Sequence, residues 1–113
     1  IKEAYKAADV LESEGISCEI IDLRTVRPLD INTVLESVKK TNRLVILEEA
    51  WPFGNVSTEI TYQIQEKAFD YLDAPVVKIN TADTPAPYSP VLLEEWLPNS
   101  GDVVKAVKKV LYK

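Results

Sequence analysis

The run Leu44–Leu47 is apolar at each of its four positions, and it limits the fold more than any other feature of the chain. A strand that is apolar on both faces is typical of a parallel sheet covered by helices on both sides. The chain supplies helices of this kind. Residues 2–14, for example, carry apolar side chains at spacings of three and four, namely Ala4, Ala7, Ala8 and Leu11.

The remaining elements follow from the spacing of apolar residues and from the residues that begin and end helices. Strands are predicted at 18–23, 44–47 and 75–79, and helices at 2–14, 30–42, 57–71 and from 102 towards the last residues. Gly15 and Asn42 are expected to end the first two helices, whereas Asp30 and Asp102 are expected to be N-caps. The segment 83–90 contains three prolines and is predicted to be an irregular loop.

Strands that alternate with helices predict parallel pairing through helical crossovers, and therefore an α/β fold. We expect a three-layer α/β/α sandwich around a mainly parallel sheet, with residues 1–113 as a single domain. The sequence opens directly in a helix, whereas the first helix of such a series follows a strand. We therefore expect the first strand to lie upstream of residue 1, so that this chain is a fragment of a larger protein.

An excess of 18 acidic over 13 basic residues gives the chain a net charge of −5. Nucleic acid and anionic membrane surfaces are unfavourable partners, because both attract concentrated positive charge. The sequence also contains no apolar run of 18 residues that could span a membrane. A basic protein partner is favoured, unless the charge serves only to maintain solubility.

The residue types that common catalytic sites require are scarce. The chain has no histidine to activate a serine, and its three glycines cannot form a glycine-rich phosphate loop. The single cysteine, Cys18, excludes an internal disulfide, and we interpret it as a buried apolar residue of a strand.

Of the acidic pair Glu48–Glu49, one residue is expected to bond to a loop amide or an arginine. The pair Glu94–Glu95 is expected to lie on a solvated face.

The segment 22–30 contains a distinctive set of charged residues. Arg24 and Arg27 follow a predicted strand, and Asp30 opens the next helix. Arginines beside a helix N-terminus could bind an anion, or a carboxylate from a neighbouring subunit. They could also form an internal pair with an aspartate that only fixes the loop.

Four segments, in this order, resemble the transketolase C-terminal domain family: residues 21–30, 45–52, 68–75 and 82–88. The last two narrow the resemblance to the beta subunit of the pyruvate dehydrogenase decarboxylase component, and the related branched-chain 2-oxoacid enzymes are less similar. Ala50 replaces a residue that is often glycine in the family, and the loop at 53–60 is less rich in glycine. The resemblance covers essentially the whole chain.

The resemblance implies a larger beta subunit that assembles with an alpha subunit into a heterotetramer. Such an enzyme decarboxylates pyruvate oxidatively and transfers the acetyl group to a lipoyl arm. Thiamine diphosphate and magnesium would lie between the alpha subunit and the amino-terminal part of the beta subunit. The family therefore implies that this domain binds no cofactor and contributes no catalytic residue. Bacterial cytoplasm and the mitochondrial matrix are both compatible compartments.

The family also implies a role in assembly for this domain. It pairs with a second beta subunit and receives the subunit-binding domain of the dihydrolipoyl acyltransferase core. Asp73, Tyr112 and Lys113 match positions that the family uses for that docking. Two alternatives remain open. The chain could be the same domain of a branched-chain 2-oxoacid dehydrogenase or of a 1-deoxyxylulose-5-phosphate synthase, or it could be a free-standing α/β module that binds an anion.

Overall fold

The structure is a computed structural model that describes residues 1–113. At its centre, two short strands form a parallel sheet. β1 (Val45–Leu47) pairs with β2 (Val77–Ile79), and Val45 lies opposite Val77. A helix connects the two strands, as a parallel pair generally requires. The strands predicted at 44–47 and 75–79 and the mixed α/β class are therefore confirmed.

Five α-helices and one 3-10 turn make up the rest of the regular structure. The elements are α1 Lys2–Ser13, α2 Ile31–Thr41, α3 Val56–Ala68, the 3-10 turn Phe69–Tyr71, α4 Pro90–Trp96 and α5 Ser100–Val110. The helices predicted at 2–14 and 30–42 are confirmed, and the third ends at Ala68 rather than Tyr71, where the 3-10 turn replaces it. None of the helices combines the length and the apolar character needed to cross a membrane.

The predicted end of α1 at Gly15 is confirmed, and the backbone shows why glycine stands there. Gly15 has φ +79, a left-handed conformation that other residues adopt at a cost. The amide of Ile16 donates to the carbonyl of Leu11 at 2.9 Å. This bond closes the last turn of α1 in the manner of a Schellman motif.

The beginning of α5 corrects one prediction, and α4 was not predicted at all. Asn99, not Asp102, is the N-cap of α5, because its side chain accepts the amide of Asp102 at 3.0 Å. The Asp102 carboxylate in turn accepts the amide of Asn99, which completes a capping box. α4 has only seven residues and none of them is fully buried, so its apolar pattern is too short to indicate a helix clearly.

Two apolar clusters lie on opposite faces of the sheet. The first joins α2 and α3 through Val34, Val38, Ile60, Ile64 and Ala68, and Ile46 of β1 packs against it. The second joins α1, α5 and β2 through Ala7, Ile79, Val103 and Ala106, and Val45 and Leu47 of β1 pack against it. Successive side chains of a strand point to opposite faces, so β1 contributes to both clusters. Helices therefore cover both faces of the sheet.

The strand predicted at 18–23 is wrong, because residues 16–25 form no strand in the structure. Ile21 and Leu23 pack against the first apolar cluster, as the pattern predicted. However, no backbone amide of residues 17–23 donates to another backbone group. The apolar side chains are in place, but the hydrogen-bonded neighbour that defines a strand is not.

An open groove of about 700 Å³ is lined by residues 16–26 on one side and by β1 on the other. β1 pairs only with β2, so its second backbone edge is free along this groove. Ala7 and Leu11 of α1 contribute to the lining. Cys18 also lines the groove and is exposed, so the interpretation of Cys18 as a buried residue is wrong.

The first apolar cluster generates a test of the fold. Ile64 is fully buried at its centre, and the Ile64→Ala variant should lower the free energy of unfolding by about 2–5 kcal/mol through lost burial and a residual cavity. Gln65→Ala, at an exposed position of the same helix, is the matched control and should change the free energy by less than about 0.5 kcal/mol. Urea unfolding measures both. Equal stability of the two variants would show that this cluster does not hold α3 in place.

Candidate partner-binding site

Asp73 lies in the short turn between the 3-10 turn and β2. Its amide donates to the carbonyl of Asn42 at 2.8 Å, and the next residue, Ala74, is buried. Pro75 restricts Ala74 further, because a residue before proline avoids helical geometry. The Asp73 side chain nevertheless remains 57% exposed. The backbone of the turn is therefore fixed while the carboxylate stays accessible to a partner.

Asn42 ends α2 and binds the same turn a second time. Its φ of +65 is left-handed, a conformation that asparagine tolerates better than most residues, and its amide donates to Val38 at 2.7 Å. The prediction that Asn42 ends this helix is confirmed. Its side-chain amide also donates to the carbonyl of Tyr71 at 2.8 Å. Asn42 thus holds the turn at both Tyr71 and Asp73.

The end of α5 brings Tyr112 to the same place. The amide of Tyr112 donates to Lys109 at 3.1 Å, and that of Lys113 donates to Lys108 at 2.8 Å, which together form a Schellman motif. Tyr112 occupies the left-handed position of this motif with φ +59, where glycine is usual. Its hydroxyl donates to the backbone carbonyl of Asp73 at 3.5 Å. Asp73 and Tyr112 are therefore neighbours in the structure, and Lys113 is exposed beside them.

Arg43 belongs to this site, although the sequence did not single it out. Its Nε donates to the carbonyl of Val110 at 2.9 Å, and its guanidinium lies 3.8 Å from the Asp73 carboxylate. One signal could have revealed it. Parallel strands begin at the same edge of a sheet, so the residues just before β1 lie close to those just before β2. That inference required the register of the sheet.

Basic and acidic residues are interspersed around Asp73. The last turns of α2 and α5 and the residues beside them contribute Lys39, Lys40, Arg43, Lys108, Lys109 and Lys113. Several are already paired: Lys108 with Glu14 at 2.8 Å, for example, and Lys40 with Glu19 at 2.6 Å. Charges of both signs therefore lie side by side at this end of the molecule.

The second predicted set, Arg24, Arg27 and Asp30, lies at the opposite end of α2. Asp30 is the N-cap of that helix. Its carboxylate accepts hydrogen bonds from the backbone amide of Thr33 at 3.2 Å and from the Thr33 hydroxyl at 2.6 Å. Arg24 lies 4.0 Å from Asp22, and neither arginine pairs with Asp30. Asp30 and Asn42 cap the two ends of α2, so about 18 Å of helix separates them. The two predicted sets do not form one site.

Glu48 lies at the carboxyl end of β1, where α/β proteins commonly bind ligands. Its carboxylate accepts the amide of Ser57 at 3.2 Å, the hydroxyl of the same residue, and the side-chain amide of Asn80 at 2.7 Å. Glu48 therefore holds the beginning of α3 against the end of β2. The expectation that one acid of this pair bonds to a loop amide is met only in part, because the backbone amide belongs to the first turn of α3, whereas the side-chain amide of Asn80 lies in the loop after β2.

Residues 1–103 match the family model described as the transketolase C-terminal domain. The chain belongs to this family. It is 51% identical over 112 residues to the pyruvate dehydrogenase E1 component subunit beta of Rickettsia bellii, which covers 99% of this chain and 34% of that protein. The proteins of the same name from Rhizobium meliloti and from Bos taurus, the latter mitochondrial, are 56% and 49% identical. They match 97% and 98% of this chain, and 24% and 31% of their own lengths.

The chain thus spans about a quarter to a third of the length of these relatives. The resemblance inferred from the four sequence segments is confirmed, both to the transketolase C-terminal domain family and to pyruvate dehydrogenase beta subunits. Arg24, Arg27 and Asp30, at one end of α2, lie within the matched range. Asp73 lies inside the matched range, whereas Tyr112 and Lys113 follow it.

The Asp30 cap generates a prediction that depends on pH. Hydrogen bonds from the Thr33 hydroxyl and amide lower the pKa of Asp30 from its ordinary value of 3.8. A group whose pKa is lower in the folded state stabilises the fold at pH values above its unfolded-state pKa. This stabilisation is lost as the pH falls through the folded-state pKa. Asp30→Ala should therefore unfold more easily than wild type at pH 7, and the difference should narrow below about pH 4.

Chemical denaturation at neutral and acid pH measures this difference. Asp30→Asn should retain most of the stability at pH 7, because asparagine is also a good N-cap. Asn32→Ala, at an exposed position in the same first turn, is the control and should show no such dependence on pH. A stability difference for Asp30→Ala that stays constant from pH 7 to pH 3 would contradict the proposed cause.

Proposed function

We propose that this chain is the carboxy-terminal domain of a pyruvate dehydrogenase beta subunit and that it serves assembly rather than chemistry. One observation carries the proposal. In a chain about half identical to such subunits, Asp73 and Tyr112, which match the family's docking positions, come into contact although 39 positions separate them. Their convergence gives the partner a single continuous surface.

The whole protein would act in the oxidative decarboxylation of pyruvate. An alpha subunit, a second beta subunit and the subunit-binding domain of the dihydrolipoyl acyltransferase core would be its partners. Its compartment would be bacterial cytoplasm or the mitochondrial matrix, since the relatives named above include bacterial and mitochondrial proteins. Thiamine diphosphate and magnesium would be held elsewhere in the assembly.

The residues of this chain do not fit that cofactor. Diphosphate and magnesium require oxygen ligands around the metal and a set of backbone amides or cations around the phosphates. No group of three or more acidic or cysteine side chains comes together here. Glu48, the best-placed carboxylate, is already bonded to Ser57 and Asn80. No catalytic step is therefore assigned to this domain.

Docking would use the geometry of the Asp73 turn. The exposed carboxylate would accept hydrogen bonds from an arginine or lysine of the partner, an interaction stronger than one between neutral groups. Tyr112, 72% exposed, offers an aromatic face and a polar tip, a combination enriched at interfaces. Lys113 would lie at the rim of the contact, where a basic residue does not favour a basic partner.

Arg24, Arg27 and Asp30 would serve a different contact. They lie at the far end of α2, so the partner bound at Asp73 does not reach them without spanning the whole helix. The exposed arginines would meet a carboxylate of a neighbouring alpha or beta subunit, while Asp30 keeps the loop fixed through its cap. The loop would thus be an interface between subunits.

The groove beside β1 would hold a further strand of the same sheet. The chain spans only part of its relatives' length, and Ile1 itself lines the groove. We infer that the segment preceding Ile1 enters between residues 18–23 and β1. It would pair with the free edge of β1 and with the unpaired amides of residues 17–23. The sheet would then be the larger parallel sheet that the sequence predicts.

Asp73→Asn tests the docking role. Asparagine retains the shape of the turn and removes the charge, so binding of the subunit-binding domain should weaken by about 2–5 kcal/mol if the charge pair is buried in the complex. Surface plasmon resonance on the full-length assembled protein, at two salt concentrations, measures the change. Asp70→Asn, on the adjacent 3-10 turn, is the matched control and should bind normally. Unchanged affinity of Asp73→Asn at low salt would remove Asp73 from the partner site.

Extending the chain tests the proposed strand. Adding about 15 natural upstream residues, enough for one strand and its turn, should raise the melting temperature and protect the amides of residues 18–23 and 45–47 from hydrogen exchange. The control is an extension of equal length with two prolines in its strand, which cannot donate to the ladder. If both extended chains melt and exchange like the original, the groove does not receive this segment.

A further inference from the structure

Asn42 and Arg43 are neighbours in the chain, and between them they contact the Asp73 turn and the last turn of α5. Asn42 bonds to Tyr71 and Asp73 at 2.8 Å each. Arg43 bonds to Val110 at 2.9 Å and lies 3.8 Å from the Asp73 carboxylate. Both stand in the link between α2 and β1.

We propose that Asn42 and Arg43, here called the clamp, are positioning residues that hold the Asp73 turn and the end of α5 as one docking surface. This inference rests on the proposed function, because it concerns the same partner. The inference also names a physical cause. The Asp73 turn and the end of α5 are far apart in the sequence, so contacts from another part of the chain hold them side by side.

The two residues of the clamp act in different ways. Asn42 fixes the backbone of the turn through two neutral hydrogen bonds, one on each side of Leu72. Arg43 satisfies the carbonyl of Val110, one of the last carbonyls of α5, which have no partner within their own helix. Two thirds of the Arg43 side chain is shielded from water, so its contacts are less screened than those of a surface arginine.

The distance of 3.8 Å between Arg43 and Asp73 has a consequence for docking. It is too long for a hydrogen bond, so the guanidinium orients the carboxylate without occupying its acceptor sites. A carboxylate has room for several donors, and the carboxylate of Asp73 accepts no hydrogen bond within this chain. The acceptor sites that a basic partner needs are therefore free, and the Arg43 guanidinium lies to one side of them.

The sign of the Arg43→Gln effect distinguishes positioning from simple electrostatics. If Arg43 acted only as a charge, its removal would lessen repulsion and strengthen the binding of a basic partner. If it acts as part of the clamp, its removal should weaken that binding by about three- to tenfold, the range of one or two lost hydrogen bonds. Lys109→Gln removes an exposed charge of α5 that no ion pair engages, and it should leave binding unchanged or slightly stronger.

Asn42→Gly gives an equally clean test of the other half. Glycine adopts the left-handed backbone of this position readily, so the end of α2 is preserved and only the bond to Tyr71 is lost. Binding should again weaken by about three- to tenfold. Arg43→Lys, which retains the charge but not the planar fork, should recover part of the affinity lost in Arg43→Gln.

The experiment uses the full-length assembled protein and the isolated subunit-binding domain of the acyltransferase as the probe, with calorimetry as the readout. Arg43→Gln is also measured in the Asp73→Asn background. A residue that acts through Asp73 should lose its effect there, whereas one that only stabilises the fold should weaken binding by the same factor in both backgrounds. Hydrogen exchange of the Asp73, Tyr112 and Lys113 amides, which the clamp should slow, is recorded on the same proteins.

The outcomes separate the clamp from the proposed function. If Asp73→Asn weakens binding but Arg43→Gln and Asn42→Gly do not, the docking site stands and the clamp is overturned. If the probe does not bind wild type, or binds Asp73→Asn equally well, the proposed function fails. The clamp is then decided by exchange alone, and unchanged exchange at the three amides in both variants would overturn it.

Discussion

The alternation of side chains along β1 is the constraint on which the rest of the structure depends. Ile46 faces the cluster formed by α2 and α3, whereas Val45 and Leu47 face the cluster formed by α1 and α5. With only three residues, β1 therefore joins two separate cores. The parallel pairing with β2 then defines two edges of the sheet. Arg43 and Asp73 lie at the edge where the strands begin, and Glu48 and Asn80 lie where they end.

Those two edges have different roles in this domain. At the carboxyl edge, where α/β proteins commonly bind ligands, Glu48 is engaged by hydrogen bonds from Ser57 and Asn80. The opposite edge collects the C-termini of α2 and α5, whose unsatisfied carbonyls carry partial negative charge. This charge accounts for the lysines in the last turns of both helices. It also favours a cation at the Asp73 turn, which lies beside both helix ends.

The fold is open on the side of β1 away from β2. Only 15 of 113 residues are buried, and residues 16–25 contribute apolar side chains to the core without forming a strand. Side-chain burial and backbone pairing are separate requirements of a strand, and this segment satisfies the first alone. The groove lies between the free edge of β1 and the amides of residues 17–23, none of which donates to a backbone group of this chain.

The sequence by itself determined the features whose hydrogen bonds are local. The helices at 2–14 and 30–42, the end of α1 at Gly15 and the cap at Asp30 all depend on residues within four or five positions of one another. The apolar run at 44–47 also determined a strand covered on both faces. Resemblance to a family added Asp73 and Tyr112, which no local pattern distinguishes.

Only the tertiary structure decided whether residues 18–23 form a strand and which residues surround Asp73. A strand requires hydrogen bonds to another segment, so its side-chain pattern cannot state whether a neighbour is present. Arg43 meets Val110 across 67 positions, and that contact follows from the register of β1 with β2 and from the packing of α5 on the sheet. The sequence contains both residues, but the distance between them is set by packing that no local pattern describes.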